Sequence, residues 1–507
     1  MTSPADAPIA EQAATGEQLG RAAASGALWL TAQKWLVRLS GLATIAILAR
    51  LVSPTEFGVV AVASSVLPFV YLLSDLGLST YLVQATDPDQ RVLSTGYWLS
   101  LTAAAILGGA LFAGAPLLAN LLGAPAAASV MRVMLISVPL VVLASVPTAL
   151  LRRRMRFRLL ALQGAAGAVL AQLAAVLVAL ENGGVWALVV QALTSVAITS
   201  GSAWIAARWR PSATFSRMDF VTMARFGYKV VAVELVAILR GWAETAIVAV
   251  SLGTSALGYL SIAQRLVQVA QDLGGSAVAP VSLVVLAKVR DTPERLRQAY
   301  QRALRLVYGT VSPVLIFVAV AAPVVIPFLF GPQWSQSVPV ARGLAVAGIL
   351  TLGAFLDQGL FYALGRAGRW LVYSSVTDVV TVGATALAVS RGLTAVAWAF
   401  VAVAFVATVA RWRLVSRDIG TTERDLARLF VTQIACALGS GAAGMAVLAV
   451  VAGPSIVQLL VVGVVIVAVH LVLLRVVVPG IYRDAIDHAP VPARVRTVLL
   501  RWSRVSA

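Results

Sequence analysis

Several long apolar stretches of this sequence carry ionisable or amide side chains, and their spacing tells which of them share a surface. Lys34 and Arg38 are four residues apart, as are Arg240 and Glu244, so each pair lies on one face of a helix. Gln264, Arg265, Gln268, Gln271 and Asp272 recur at spacings of three and four, forming a polar stripe opposite Leu260, Val267 and Val269. An ionised group at membrane depth costs at least about 2.5 kcal/mol and is retained where it faces a cavity or a partner. The functional reading is that Lys34, Arg38, Arg240 and Arg265 line a cationic cavity able to hold an anionic group part-way across a membrane. Tyr71, Gln264 and Gln268 add polar lining. Asp75, Glu234, Glu244, Asp272, Asp357 and Asp378 are the carboxylates that a coupling proton or sodium ion would use. The plainer readings are snorkelling to an interface, pairing within a helix as Arg240 with Glu244, or capping of helix ends. Arg152 to Arg158 has the residue type that grips phosphate bidentately, but orientation of the following helix is the simpler explanation.

The elements that must position these groups are transmembrane helices. Of 507 residues 60% are hydrophobic and 12% charged, with a mean hydropathy of +0.91, which excludes an ordinary soluble globule. A helix needs about 20 mostly apolar residues to cross the hydrocarbon, and about fourteen such spans fit, from 24–50 to 455–479. Arginines concentrate on every second connection, including Arg91, Arg152 to Arg158, Arg290 to Arg305, Arg366, Arg369 and Arg411 to Arg428. The intervening connections hold only Arg50, Arg342 and Arg391. Cationic loops stay cytoplasmic, so both termini are expected inside, the C-terminal tail carrying Arg483, Arg494, Arg496, Arg501 and Arg504.

The net charge of +18 belongs beside headgroups and not on nucleic acid, because the basic residues flank spans. The single cysteine, Cys436, excludes a disulfide framework within one chain, and only His470 and His488 offer imidazoles, so no metal site or cofactor is expected. Trp186, Trp204, Trp334 and Trp412 read as interfacial belts. Pro313, Pro323 and Pro327 within one span imply kinks, tolerable only where the freed carbonyls find other partners.

The chain also repeats itself. Leu39, Gly41, Ala43, Ala46, Ile47, Ala49 and Gly58 stand opposite Leu239, Gly241, Ala243, Ala246, Ile247, Ala249 and Gly258, and Ser74-Asp75-Leu76-Gly77 is echoed by Gln271-Asp272-Leu273-Gly274. Two copies of a six-helix unit running in the same direction are a parallel repeat, with substrate sites at the interface of the repeats. The expected organisation is a disordered cytoplasmic tail (1–22), an N-lobe (23–207), a linker (208–223), a C-lobe (224–417), an extra helix pair (418–480) and a basic cytoplasmic tail (481–507). The first apolar stretch is too long, and too interrupted by Lys34 and Arg38, for a cleaved signal peptide.

The run from Ile47 to Gly58 (ILARLVSPTEFG), followed by Asp75-Leu76-Gly77-Leu78-Ser79, resembles the opening of the polysaccharide transporter family, the Wzx/WzxC-type oligosaccharide flippases. Further echoes in the family's order are Leu93 to Trp98, Pro147 through Phe157, Gly184 to Leu188, Leu257-Gly258-Tyr259 and Phe330 to Trp334. The resemblance implies the multidrug/oligosaccharidyl-lipid/polysaccharide flippase fold: an all-α polytopic membrane protein with two six-helix lobes in a pseudo-symmetric V, plus a C-terminal helix pair. It implies movement of an undecaprenyl-diphosphate-linked oligosaccharide across the bacterial inner membrane, with a polysaccharide polymerase and glycosyltransferases as partners. In the related lipid II flippases basic residues on the first and eighth helices serve the diphosphate, and Lys34, Arg38 and Arg265 occupy comparable helices here.

A polymerase or ligase for the same glycans would use a substantial external loop with acid/base side chains, and the outward connections here are short, so no enzymatic activity is expected. A cation-coupled drug exporter of the same superfamily should favour an acidic or aromatic cavity, whereas the first-helix charges are basic. A lipid II flippase shares the reaction class, and the opening motif argues against it.

Overall fold

The computed structural model describes residues 36–477 apart from 39, 77, 85–87 and 452, and only the backbone of helical residues 80, 83–84, 226–230, 232–233 and 273–285. Lys34 and the arginines of the C-terminal tail lie outside the described residues. All regular structure that is described is helical, and the chain divides into two compact units, Met1–Thr254 and Ser255–Ala507. Eleven helical stretches among the described residues are long and apolar enough to cross a membrane, twelve if one bent pair is a single span. The expected number of fourteen is not established. About half of the span 24–50 falls outside the described residues, and the two spans expected as 224–251 and 256–281 are two helices that meet at a kink within α11 (Arg217–Val289). Its apolar part, Glu234–Asp272, has 39 residues, about the number that two crossings joined at a kink would need. The run leaves helical geometry at Gly253 (φ 84°, ψ 172°), a backbone region essentially reserved for glycine.

Unit 1 begins with α1, described over 40–51, followed by α2 (Pro54–Ser65), α3 (Leu67–Asp75) and α4 (Leu78–Gln84). Ser53 and Glu56 start α2 with a reciprocal capping box, and Glu56 Oε1 also accepts from Val185 N at 3.2 Å. Gly58 meets the backbone of Thr254 so closely that a Cβ there would collide with its carbonyl. The long α5 (Gln90–Leu121) is followed by α6 (Ala127–Met134), α7 (Ser137–Leu143) and α8 (Ser145–Arg153), a span bent by 40°, and by the hairpin of α9 (Phe157–Leu180) and α10 (Val185–Ala207). Alanines 161, 171, 175, 179 and 187 are buried in that hairpin, and Gly167 lies against the Ser195 backbone, the small-residue packing that lets helices approach where water supplies no driving force.

The segment expected as a linker is strapped to the start of α5. Gln90 Nε2 donates to Arg210 O (2.6 Å), Trp98 Nε1 to Ser212 O (2.8 Å), Ser212 N to Ser94 Oγ (3.0 Å) and Ser216 N to Thr95 Oγ1 (3.1 Å). Trp209 Nε1 donates to Gln90 Oε1 (2.8 Å), and its ring packs edge-on to Tyr97.

Unit 2 holds the far part of α11, then α12 (Pro293–Phe330), α13 (Ser337–Thr351) and α14 (Ala354–Ala363), which together make one span, α15 (Ala367–Ala388), α16 (Leu393–Ile419), α17 (Glu423–Val450) and α18 (Ser455–Val477). Trp334 is fully buried, edge-on to Tyr259 at 6.0 Å, while Ser337 Oγ donates to Tyr259 O (3.0 Å). The interfacial role read for Trp334 is therefore corrected: it fills a joint between α11 and the start of α13. The units repeat each other's internal geometry. Positive φ at Gly123, Met155, Gly184 and Arg208 recurs roughly 210 residues later at Gly331, Gly365, Gly392 and Gly420, so the 200-residue register of the first helices is stretched further along the chain.

The prolines show the same repetition. A proline inside a helix leaves the carbonyl four residues earlier without its amide. Pro116 frees Phe112 O, which accepts from Arg132 Nε (3.2 Å); Pro323 frees Ala319 O, which accepts from Arg342 Nε (3.1 Å). Pro313 frees Gly309 O, which meets buried His470 Nε2 at 3.1 Å, so that nitrogen carries the hydrogen. The partners that Pro116, Pro313 and Pro323 require thus come from neighbouring helices of the same unit. Arg342, an apparent exception to the charge asymmetry, has this backbone role.

Candidate substrate site

The far part of α11 buries Ile262, Ala263, Leu266, Val267 and Ala270 on one face and leaves Gln264, Arg265 and Gln268 exposed on the other. This is the polar stripe expected from the spacing. Gln268 Nε2 donates to Asp272 Oδ1 (3.2 Å), whereas Gln271 turns towards Gly348 of α13. Arg265 has no ion pair among the described residues. Arg265 is exposed yet has protein around much of it, and at membrane depth its guanidinium would cost at least about 2.5 kcal/mol without water or a partner.

The remaining candidates are placed differently. In unit 1, Arg240 donates to Glu244 Oε1 at 2.7 Å one turn along α11; the arginine side chain is 37% exposed and Glu244 is buried. Glu234 is exposed, and Arg38 is half-buried at the start of the described part of α1. Tyr71 donates to Ser137 Oγ (2.6 Å), since the Ser137 proton goes to Met134 O, so its hydroxyl ties α3 to α7. Asp75 accepts from the backbone and hydroxyl of Ser79, closing the turn through left-handed Leu76 into α4. In unit 2, Asp378 is half-buried on α15. Asp357 of α14 is buried with Arg411 of α16 at 2.7 Å and accepts from Tyr300 OH of α12. Beside that pair Tyr308 OH donates to Leu350 O and accepts from Gly353 N, both at 3.3 Å. Arg411, counted above among the connection arginines, is corrected to an interior position, where a buried guanidinium is stable only with a carboxylate opposite it.

Sequence reasoning missed Arg132, Arg342, His470, Tyr300 and Tyr308. For the first three the internal proline was a signal that a partner exists; its identity was hidden, because the donors lie 20, 23 and 161 residues away. The cluster Arg152 to Arg158 is also accounted for in part. Arg153 Nη1 donates to Leu82 O and Arg154 Nη1 to Ala207 O, both at 3.1 Å, capping the carbonyl ends of α4 and α10.

Comparison with known proteins gives these features a context. Residues 47–339 match the family described as polysaccharide biosynthesis protein. The succinoglycan biosynthesis transport protein ExoT of Rhizobium meliloti (strain 1021) is 30% identical over 345 residues, 68% of this chain and 69% of that protein. The lipopolysaccharide biosynthesis protein WzxC of Escherichia coli (strain K12) is 24% identical over 332 residues, 64% and 67% of the two chains. Among solved structures, the lipid II flippase MurJ in an inward closed conformation has a TM-score of 0.74 at 13% identity, covering 90% of this chain and 100% of that one. An inward-facing multidrug resistance MATE transporter of the MOP superfamily has a TM-score of 0.54 at 18% identity, covering 77% and 94%. At these identities the two structures speak for the fold alone, which this chain shares with them. With residues 47–339 matched and relatives named for succinoglycan biosynthesis transport and lipopolysaccharide biosynthesis, the chain belongs to the polysaccharide biosynthesis protein family.

Proposed function

We propose that this protein moves an undecaprenyl-diphosphate-linked oligosaccharide from the cytoplasmic to the outer leaflet of a bacterial inner membrane, for the biosynthesis of exopolysaccharide, capsule or lipopolysaccharide. The anionic head of such a lipid cannot cross hydrocarbon unaided, while its polyprenyl tail need never leave it. A polar, cationic path open sideways to lipid meets both demands, with alternating access carrying the head across. The observation that carries the reading is the exposed stripe Gln264, Arg265 and Gln268, which sets a phosphate-binding group and two sugar-hydroxyl partners on one helix face. Arg38, on the first helix of the other unit, is proposed as a second cation used in transport. The arginine asymmetry supports cytoplasmic termini, and a polysaccharide polymerase and glycosyltransferases are the partners that this reaction would require.

The test uses the full chain in vesicles. A fluorescent lipid-linked oligosaccharide should flip at least about tenfold more slowly with Arg38→Ala and Arg265→Ala combined, with insertion and amount of protein unchanged. Equal rates for this double variant and the parent would remove these two arginines from the site. Lipid II in the same vesicles separates the two flippase readings.

A further inference from the structure

Away from the α11 stripe, the α15–α16 hairpin carries a groove of about 810 Å³ with an unusual distribution of charge. Three arginines, Arg366, Arg369 and Arg417, stand at one end, and branched apolar side chains continue from them along both helices. Val372, Val376 and Val380 follow one another at successive turns of α15, and Val406 faces them from α16; these four are 64%, 57%, 47% and 63% exposed. β-Branched side chains hold few rotamers, so the walls are stiff. The floor is closed by Ala407, whose carbonyl accepts from Tyr373 OH at 3.0 Å.

The arginine end is organised rather than merely basic. Asp418 is nearly fully buried behind it and accepts from both Arg366 Nη1 and Arg369 Nη1, which fixes the two guanidiniums side by side. Their side chains are nevertheless 44% and 58% exposed, and Arg417 has no ion pair among the described residues. One carboxylate against three guanidiniums leaves two positive charges, with free donors in the fork geometry that matches phosphate. From Arg369 to Val380 the helix rises about 17 Å, roughly half of the ~30 Å hydrocarbon thickness.

We propose that this groove is a binding site for an anionic phospholipid of the leaflet at the arginine end, its phosphate held by Arg366, Arg369 and Arg417 and one acyl chain lying along Val372, Val376 and Val380. The depth of a single leaflet argues for a phospholipid, since a polyprenyl chain is several times longer than the groove. With the orientation proposed above, the leaflet is the cytoplasmic one. Binding itself depends neither on that orientation nor on the flippase reading.

The test places a fluorophore at Val376→Cys in a Cys436→Ala background and reconstitutes the full chain with dibrominated phosphatidylglycerol or dibrominated phosphatidylcholine, whose bromines quench on contact. Half-quenching should need about fivefold less phosphatidylglycerol for each arginine engaged. The same fluorophore at Val464→Cys on α18, which is exposed and does not line this groove, should show no such preference. Adding Arg369→Gln and Arg417→Gln should abolish the preference, and the Arg→Lys pair at these positions should keep part of it. Equal quenching by the two lipids at Val376→Cys, an equal preference at Val464→Cys, or displacement of phosphatidylglycerol by a stoichiometric amount of undecaprenyl phosphate would each overturn the proposal.

Discussion

Asp357 and Arg265 look alike in the sequence, each an ionisable side chain inside an apolar run, yet they occupy opposite environments. Asp357 is buried with Arg411 and Tyr300, whereas Arg265 stands exposed between two glutamines. Spacing identified the stripe around Arg265 because all its members lie on one helix. It was silent on Asp357, whose partner is on another helix. A buried pair broken on one side leaves an uncompensated charge, a loss of about 3–5 kcal/mol, while removing both charges is far less harmful. Arg411→Ala should therefore lower the unfolding free energy of the purified protein by about that amount, and Arg411→Met with Asp357→Leu should recover most of it. Equal destabilisation by the single and double variants in thermal unfolding would show that the ions do not hold each other there.

At the scale of elements, the motifs that made the family legible are joints between helix ends. Ser53 to Gly58 caps α2, receives Val185 N and lets α11 pass at Gly58; Leu93 to Trp98 grips the 209–216 segment; Phe330 to Trp334 meets Tyr259. Such places need a particular residue type at a particular position, so they leave a readable pattern, whereas the lipid-facing surfaces between them accept any large apolar side chain. The bends were harder to read. Span 128–151 is three short helices, and 338–364 is two. The kinked helices supply the test at this scale. Arg342→Ala strands the Ala319 carbonyl that Pro323 has freed, and losing this exposed hydrogen bond should cost about 1 kcal/mol, the low end for an unsatisfied acceptor. Restoring the amide with Pro323→Ala in the same chain should relieve that loss; a double variant no more stable than Arg342→Ala would show that the arginine is not serving the carbonyl.

For the whole molecule, the duplication was visible in the first helices and is borne out in the paired positive-φ sites. The unit boundary lies next to Gly253, at the kink between the two helices of α11 and within the gap between the spans expected at 224–251 and 256–281. The segment 209–216 is tied by hydrogen bonds along the start of α5, and the non-helical backbone of the following run is at that glycine. Alanine at φ 84° and ψ 172° is strained by about 1–3 kcal/mol, so Gly253→Ala should lower the melting temperature, while Gly241→Ala, in the same helix with open space around it, should not. The proline contacts have a mechanical consequence. Where Pro116 or Pro323 interrupts a helix, the stiffness of that rod is lent by an arginine on its neighbour, so rigidity becomes a property of the pair. Any rearrangement that draws Arg132 or Arg342 aside would soften its partner at the same moment, and the two units carry this interlock in duplicate.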